Sequence, residues 1–79
     1  MRMNEFERLR KVAEEYKKSF PVGSRVEVIC MGDDPNPVPP GTKGTVVMVD
    51  DIATVHCKFD NGRFLGLAYG ADSFRRIDG

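Results

Sequence analysis

Apolar residues recur along the chain at two different spacings, and each spacing predicts a different kind of element. In the first 20 residues they lie three or four positions apart, at Phe6, Leu9, Val12, Ala13, Tyr16 and Phe20. This period is typical of a helix with one apolar face. Asn4 is a favourable capping residue, and Pro21 restricts the residue before it to extended geometry. We therefore expect a helix that ends near Ser19.

After residue 21, apolar and polar residues alternate or occur in β-branched runs, which predicts strands. The predicted strands are Arg25–Met31, Thr45–Val49, Thr54–Phe59, a fourth that ends near Leu67, and Phe74–Ile77. A long loop between the first two strands and a tight turn before the fifth are typical of an SH3-like barrel. The sequence thus predicts a mainly β protein, a five-stranded antiparallel SH3-like barrel over residues 21–79. We expect the helix of residues 1–20 to pack on this barrel as part of one domain.

The alternation also predicts which side chains are buried. In the first strand Val26, Val28 and Cys30 share one face, and the outward Ile29 suggests that the strand is covered on both sides, by the helix. In the third strand Val55, Cys57 and Phe59 are expected to face the core. On the helix, the residues expected to bury against the barrel are Phe6, Leu9, Val12 and Tyr16.

Two registers are open at the hairpin that follows Phe59. A two-residue loop, Asn61-Gly62, would pair Phe59 with Phe64. A three-residue loop over residues 60–62, with Gly62 left-handed, gives the pairs Cys57–Leu65 and Val55–Leu67. Because a slip of one residue moves every side chain to the other face, burial should decide between them. We predict the three-residue loop, which places four apolar residues on one face and Phe64 outside.

Residues 32–41, G-D-D-P-N-P-V-P-P-G, contain four prolines, which predicts an exposed, rigid loop without regular structure. Asp33, Asp34 and Asn36 carry oxygen atoms that a hard cation could use. The loop lacks the spaced acidic ligands and the final glutamate of a calcium loop, so no metal is expected here. We expect its aspartates to bond to nearby backbone amides instead.

Composition adds information on charge and compartment. The 12 basic and 12 acidic side chains give a formal net charge of zero, but residues 21–79 carry six basic and eight acidic groups. This part lacks the basic surplus typical of nucleic-acid binders. Cys30 and Cys57 lie within strand patterns, so we expect two buried free thiols rather than a disulfide. No apolar run has transmembrane length and no signal peptide is recognised, so we expect a cytoplasmic protein with no membrane contact.

Two resemblances follow from particular segments. The glycine and valine pattern of Gly23–Gly32 followed by Gly41–Val46 resembles the KOW motifs of ribosomal proteins and transcription factors. From about Leu9 onward, the chain is more closely similar to a small bacterial domain family seen often in conjugative elements and phage-related regions. The segments that carry this similarity are F-P-V-G-S-R-V-E-V, G-D-D-P, P-P-G-T-K-G-T-V, F-D-N-G-R, L-G-L and G-A-D-S-F. The function of that family is not established, so the resemblance implies a link to mobile elements and assigns no site residue.

Catalysis is disfavoured because the single histidine, His56, lies on an outward strand position with Thr54 and Lys58 as its neighbours. We predict a non-enzymatic protein-interaction or adaptor module without a cofactor, which presents a strand edge, the proline-rich loop or exposed aromatic rings. The candidate contact residues are Pro35, Pro37, Pro39, Pro40, Phe64 and Tyr69. The alternative is a KOW-like nucleic-acid interface with phosphate contacts from Lys43, Lys58, Arg63, Arg75 and Arg76.

Overall fold

The chain forms one helix followed by five strands in a computed structural model that describes residues 4–32 and 34–78. The elements are α1 (Glu5–Ser19), β1 (Arg25–Cys30), β2 (Lys43–Val49), β3 (Thr54–Phe59), β4 (Phe64–Ala68) and β5 (Ser73–Arg76). They agree with the predicted helix and the five predicted strands to within one or two residues at most ends. No helix in the described ranges is long and apolar enough to cross a membrane.

All five strands lie in one antiparallel sheet with the order β4-β3-β2-β1-β5. The predicted closure into an SH3-like barrel is corrected, because β4 and β5 are at opposite edges of an open sheet in the described part of the chain. After β4 the chain turns sharply, since the amides of Ala71 and Asp72 both donate to the carbonyl of Ala68. It then continues as β5, which pairs with β1 and not with β4.

The helix begins where the capping residue predicts. The side chain of Asn4 accepts a hydrogen bond from the amide of Glu7 at 2.8 Å, and the last turn closes at Phe20. Ala13 is buried, and the half-buried Tyr16 packs against the core. The prediction that Phe6 would be buried is wrong, because 71% of its surface is exposed. The aromatic contacts of α1 all come from its last turn and its cap, so Phe6, in the first turn, lies outside them.

The core lies on one face of the sheet. Its fully buried residues are Val26, Val28, Val38, Val46, Val55, Cys57, Phe59 and Leu67. Two expectations for β1 are corrected. Cys30 is exposed because the register between β1 and β5 shifts after Val28, which breaks the alternation of side chains. Ile29 is 52% exposed, so nothing in the described ranges covers the second face of β1 there.

The β3–β4 hairpin has the predicted three-residue loop. Cys57 lies opposite Leu65 and Val55 opposite Leu67, as burial required. Gly62 has a φ of +91°, which is the left-handed conformation expected of it. This register is therefore confirmed.

The tight turn before β5 joins three segments through one carboxylate. The side chain of Asp72 accepts hydrogen bonds from the amide of Ala68 at 2.8 Å and from that of Gly32 at 2.7 Å. Phe74 packs against the core and is the residue that anchors β5, whereas Ile77 stays partly exposed. The turn therefore links β4, the start of the proline-rich loop and β5.

Candidate functional site

The proline-rich loop exposes its prolines but buries its one valine. Val38 belongs to the core and is 1% exposed, while Pro35, Pro37, Pro39 and Pro40 are all exposed. Burial of Val38 attaches the middle of the loop to the core, so the prolines on both sides of it face solvent. The segment is therefore an exposed surface whose middle is anchored in the core.

Hydrogen bonds hold the loop on either side of this anchor. The amide of Asn36 donates to the carboxylate of Asp34 at 2.8 Å, as expected of a turn aspartate, while Asp33 lies outside the described residues. The carbonyl of Asn36 accepts from the guanidinium of Arg63 at 2.5 Å. Thr42 donates to the carbonyl of Pro39 through its hydroxyl and its amide. The loop is thus bonded to the β3–β4 hairpin as well as within itself.

The two aromatic contact candidates belong to other segments than the loop. Phe64 is 63% exposed on the outer face of β4, the face opposite the core, and the ammonium of Lys58 lies 5.7 Å from the centre of its ring. Tyr69 follows the other end of β4 and packs edge-on against Tyr16, with 5.9 Å between the ring centroids. Burial, together with the nearby Tyr69, raises the pKa of Tyr16. The six predicted contact residues therefore occupy three separate places.

Most of the candidate phosphate contacts are already engaged by other groups of the protein. Arg75 pairs with Glu27 at 2.7 Å, and Arg76 pairs with Asp78 at the same distance. Arg63 is bonded to the loop and Lys58 lies against Phe64, as described above. Lys43 is exposed at the start of β2, where its positive charge adds to the effect of Arg25 in lowering the pKa of Asp60.

The carboxylate of Asp60 is already paired with the side chain of Arg25. This carboxylate accepts two hydrogen bonds from Arg25, at 2.6 and 2.8 Å. The guanidinium of Arg25 holds the pKa of Asp60 below its usual range. Acidic side chains thus neutralise Arg25, Arg75 and Arg76 of the sheet.

His56 and Asp50 form a pair that resembles part of a catalytic site. The Nε2 atom of His56 lies 2.8 Å from a carboxylate oxygen of Asp50, whose other oxygen accepts from the amides of Ile52 and Thr54. Partial burial by itself raises the pKa of Asp50, but the hydrogen bonds from His56, Thr54 and Ile52 together outweigh it and lower that pKa.

No nucleophile in the described residues is hydrogen-bonded to His56. The thiol of the adjacent Cys57 points into the core, and its burial raises the pKa to about 11, so it stays protonated at neutral pH. The described residues also contain no group of three His, Cys, Asp or Glu side chains arranged to hold a metal ion. The Asp50–His56 pair therefore orders the β2–β3 turn and offers one oriented ring to solvent.

Beside His56 the outer face has a shallow recess of about 280 Å³. Its lining residues are His56, Cys57, Phe64, Leu65 and Gly66. Gly66 has no room for a side chain, since a Cβ atom at this position would lie 2.6 Å from the methyl group of Thr54. We refer to this depression as the Gly66 recess.

Residues 9–77 match the family described as a domain of unknown function (DUF4314). The chain belongs to this family. The match begins at Leu9, where the sequence resemblance begins, and it includes the proline-rich loop, the Gly66 recess and all five strands. Phe6 lies before the matched segment of the DUF4314 domain. No curated protein and no solved structure matches the chain at a significant level.

Sequence reasoning missed two residues that shape this surface of the DUF4314 domain. Val38 was expected to lie in an exposed loop, although an aliphatic side chain among four prolines is a signal for an anchor. Gly66 interrupts an otherwise apolar strand, a pattern that often marks a close approach of another group. Both signals were present in the sequence.

Proposed function

We propose that this DUF4314 protein is a non-enzymatic protein-interaction module whose proline-rich loop is the contact surface for a partner. One observation carries the proposal: four exposed prolines are held in a single arrangement, because Val38 is buried in the core and Arg63 binds the carbonyl of Asn36. An exposed loop that is anchored in this way has no evident structural need for so many solvent-facing prolines.

Rigidity favours recognition by a protein. Binding orders loops and side chains at a cost of about 0.5–1.5 kcal/mol for each flexible side chain, and a loop that is already ordered avoids most of this. Proline-rich segments in extended geometry dock into grooves lined by aromatic side chains. The partner is thus expected to be a protein with an aromatic groove. The setting that we propose for it is the cytoplasm of bacteria that carry mobile elements, since the sequence resemblance implies this link.

The KOW-like alternative would need neighbouring cations that are free to contact one phosphate backbone. Arg75 and Arg76 are paired with acidic groups, and Arg63 bonds to the loop. Only Lys43 and Lys58 remain, on the neighbouring strands β2 and β3. This alternative rests on the residue pattern alone, so we propose the protein partner first.

Affinity capture from a host lysate, with and without nuclease, tests the proposal. The wild-type protein is compared with the double variant Pro37→Ala, Pro39→Ala, which keeps Val38 in place. Pro21→Ala, at an exposed proline after the helix, is the matched control. We expect a nuclease-resistant protein partner that the wild type and the control retain and the loop variant loses. Capture that nuclease abolishes and that Lys43→Glu weakens would favour the nucleic-acid alternative instead.

A further inference from the structure

The two edges of the sheet differ in their protection. β5 carries Arg75 and Arg76, and the guanidinium of Arg76 also donates to the carbonyl of Ser19 at 3.2 Å. β4 has the sequence F-L-G-L-A, without a charged residue or a proline. Soluble proteins usually protect an exposed edge with charges, prolines, bulges or a covering segment, because an open edge pairs with other strands. The sequence of β4 itself contains no charge and no proline that would protect this edge.

The hydrogen-bond pattern identifies the groups that this edge offers. In an antiparallel pair, only alternate residues direct their N–H and C=O groups at the partner strand. The amide of Phe59 donates to the carbonyl of Arg63, and the amide of Tyr69 donates to the carbonyl of Ala53. The odd-numbered residues of β4 therefore bond to β3, and the even-numbered residues direct their backbone groups outward.

Of the three even-numbered residues, Ala68 is already satisfied. Its amide donates to the carboxylate of Asp72, and its carbonyl accepts from the turn that follows. Phe64 and Gly66 remain, with two donors and two acceptors that receive no bond from the other described segments. The unpaired backbone groups of the edge thus belong to Phe64 and Gly66, which are separated by Leu65.

The side chains of the same two residues are complementary in shape. Phe64 projects from the outer face and is 63% exposed. Gly66, two positions later in β4, has no side chain and is one of the residues that line the Gly66 recess. A projection and a recess of matching apolar character therefore lie two residues apart on one open strand.

We propose that β4 pairs antiparallel with β4 of a second copy of this chain, about a two-fold axis that passes beside Leu65. In this register Phe64 of each chain lies opposite Gly66 of the other, so each ring covers the other chain's recess. All four outward backbone groups of each chain form hydrogen bonds. The two Leu65 side chains meet on the opposite face as a close pair that is not hydrogen-bonded. The residues of this interface belong to β4 and not to the proline-rich loop, so the inference goes beyond the proposed function.

Symmetry and hydrogen bonding select this register among the possible ones. A contact between identical surfaces must pair residue i with j and j with i. With Gly66 opposite itself, the next pair would need the backbone groups of Ala68, which Asp72 and its turn already occupy. With Phe64 opposite itself, the groups of Gly66 would stay unpaired. An aromatic ring across the strands from a glycine also covers the exposed backbone, a favourable arrangement in sheets.

Dimerisation would join two five-stranded sheets into one continuous sheet that displays two proline-rich loops. Two linked contact surfaces can bind a divalent partner more tightly than either surface alone, because the second contact is intramolecular.

Sedimentation velocity over a wide concentration range tests the dimer. We expect the wild type to associate reversibly, and Phe64→Ser and Phe64→Pro to weaken the association about tenfold or more, because the first removes the ring and the second also the outward amide. Val22→Ser is the matched control, since Val22 is 75% exposed and lines a different surface cleft together with Phe20 and Met48. A wild type that stays monomeric, or an association that Val22→Ser weakens and Phe64→Ser does not, would exclude the β4 interface.

Cross-linking tests the register. Residues that face each other in a non-hydrogen-bonded pair have Cα atoms about 4.5 Å apart, within the range that a disulfide spans. In a Cys30→Ser, Cys57→Ala background, which removes the thiol that lies opposite Leu65 in the same chain, Leu65→Cys should form a covalent dimer under mild oxidation much faster than Ser73→Cys, which lies exposed on β5. Equal rates would contradict the two-fold axis at Leu65. On the unmodified protein, the amide hydrogens of Phe64 and Gly66 should exchange with solvent more slowly as the protein concentration rises. Exchange rates that do not change with concentration would contradict the proposed pairing of β4 with β4.

Discussion

At the scale of single residues, two positions with left-handed backbone shape the turns around β3. Gly62 adopts this conformation without a steric penalty, whereas Ala53, at φ +61°, is the non-glycine residue in the described ranges that does so. A left-handed conformation costs an ordinary residue about 1–2 kcal/mol. Ala53 is held there because the carboxylate of Asp50 binds the amides of Ile52 and Thr54 on both sides of it.

The hairpin turn makes a direct test. Gly62→Ala should lower the free energy of unfolding by about 1–2 kcal/mol, because a Cβ atom disfavours a φ of +91° although no other atom crowds the site. Phe64→Ser, measured at a concentration where the protein is monomeric, should change it by less than about 0.5 kcal/mol, as is usual for exposed positions. Urea denaturation measures both. A neutral Gly62→Ala variant would show that the turn relaxes to another conformation.

At the scale of elements, the helix is attached to the sheet by its last turn. Tyr16, Phe20 and Phe74 form an aromatic cluster with ring centroids 5.3–6.1 Å apart, in edge-on or tilted arrangements. Such pairs add about 0.5–1.5 kcal/mol beyond the area they bury. The salt bridge between Lys17 and Asp51, at 2.8 Å, joins the same part of α1 to the β2–β3 turn.

The position of these contacts predicts unequal effects along one helix face. Tyr16→Ala should destabilise the protein by about 2–3 kcal/mol, somewhat less than the loss of a fully buried aromatic residue. Phe6→Ala, at an exposed position on the same apolar stripe, should be nearly neutral. Thermal and urea unfolding of the two variants make the comparison. Equal destabilisation would mean that the first turn of α1 contributes to the folded core.

At the scale of the whole molecule, ion pairs connect segments that are distant in sequence. Lys17 with Asp51, Arg25 with Asp60 and Arg75 with Glu27 each join different elements. Exposed pairs of this kind contribute little one by one. Together they link the helix, the sheet and the turns at several points.

These contacts predict that the protein is less stable in acid. The pKa values of Asp50, Asp51, Asp60 and Asp78 are lowered in the folded state. A lowered carboxyl pKa adds stability that is fully present above the unfolded value of about 3.9 and is lost as pH falls through the folded value.

Asp50 gives the sharpest form of this test, because its carboxylate binds His56 and two amides. Asp50→Asn should be less stable than the wild type at neutral pH, and the difference should shrink as pH falls below about 4. Glu15→Gln, at an exposed helix position, is the control and should follow the wild type. The measurement is the free energy of unfolding of the wild type and both variants from neutral pH to below about pH 4. A difference that stays constant with pH would mean that the charge of Asp50 has no part in stability.

The sequence by itself determined the features that depend on neighbouring residues. The capping by Asn4, the alternation in β3 and the left-handed Gly62 follow from local sterics and hydrogen bonds, and all are confirmed. The hairpin register also followed, because only one alignment buries Val55, Cys57, Leu65 and Leu67 on one face. A family resemblance from Leu9 onward was visible as well.

Only the tertiary structure decided how these elements meet. The exposure of Cys30 results from a register shift against β5, and the burial of Val38 results from a space in the core that strands distant in sequence create. The open sheet has the same origin, since the bonds of Ala68 and Asp72 end β4 and redirect the chain to β1. Contacts between residues far apart in sequence compete with local preference, and periodicity along the chain carries no information about which of them form.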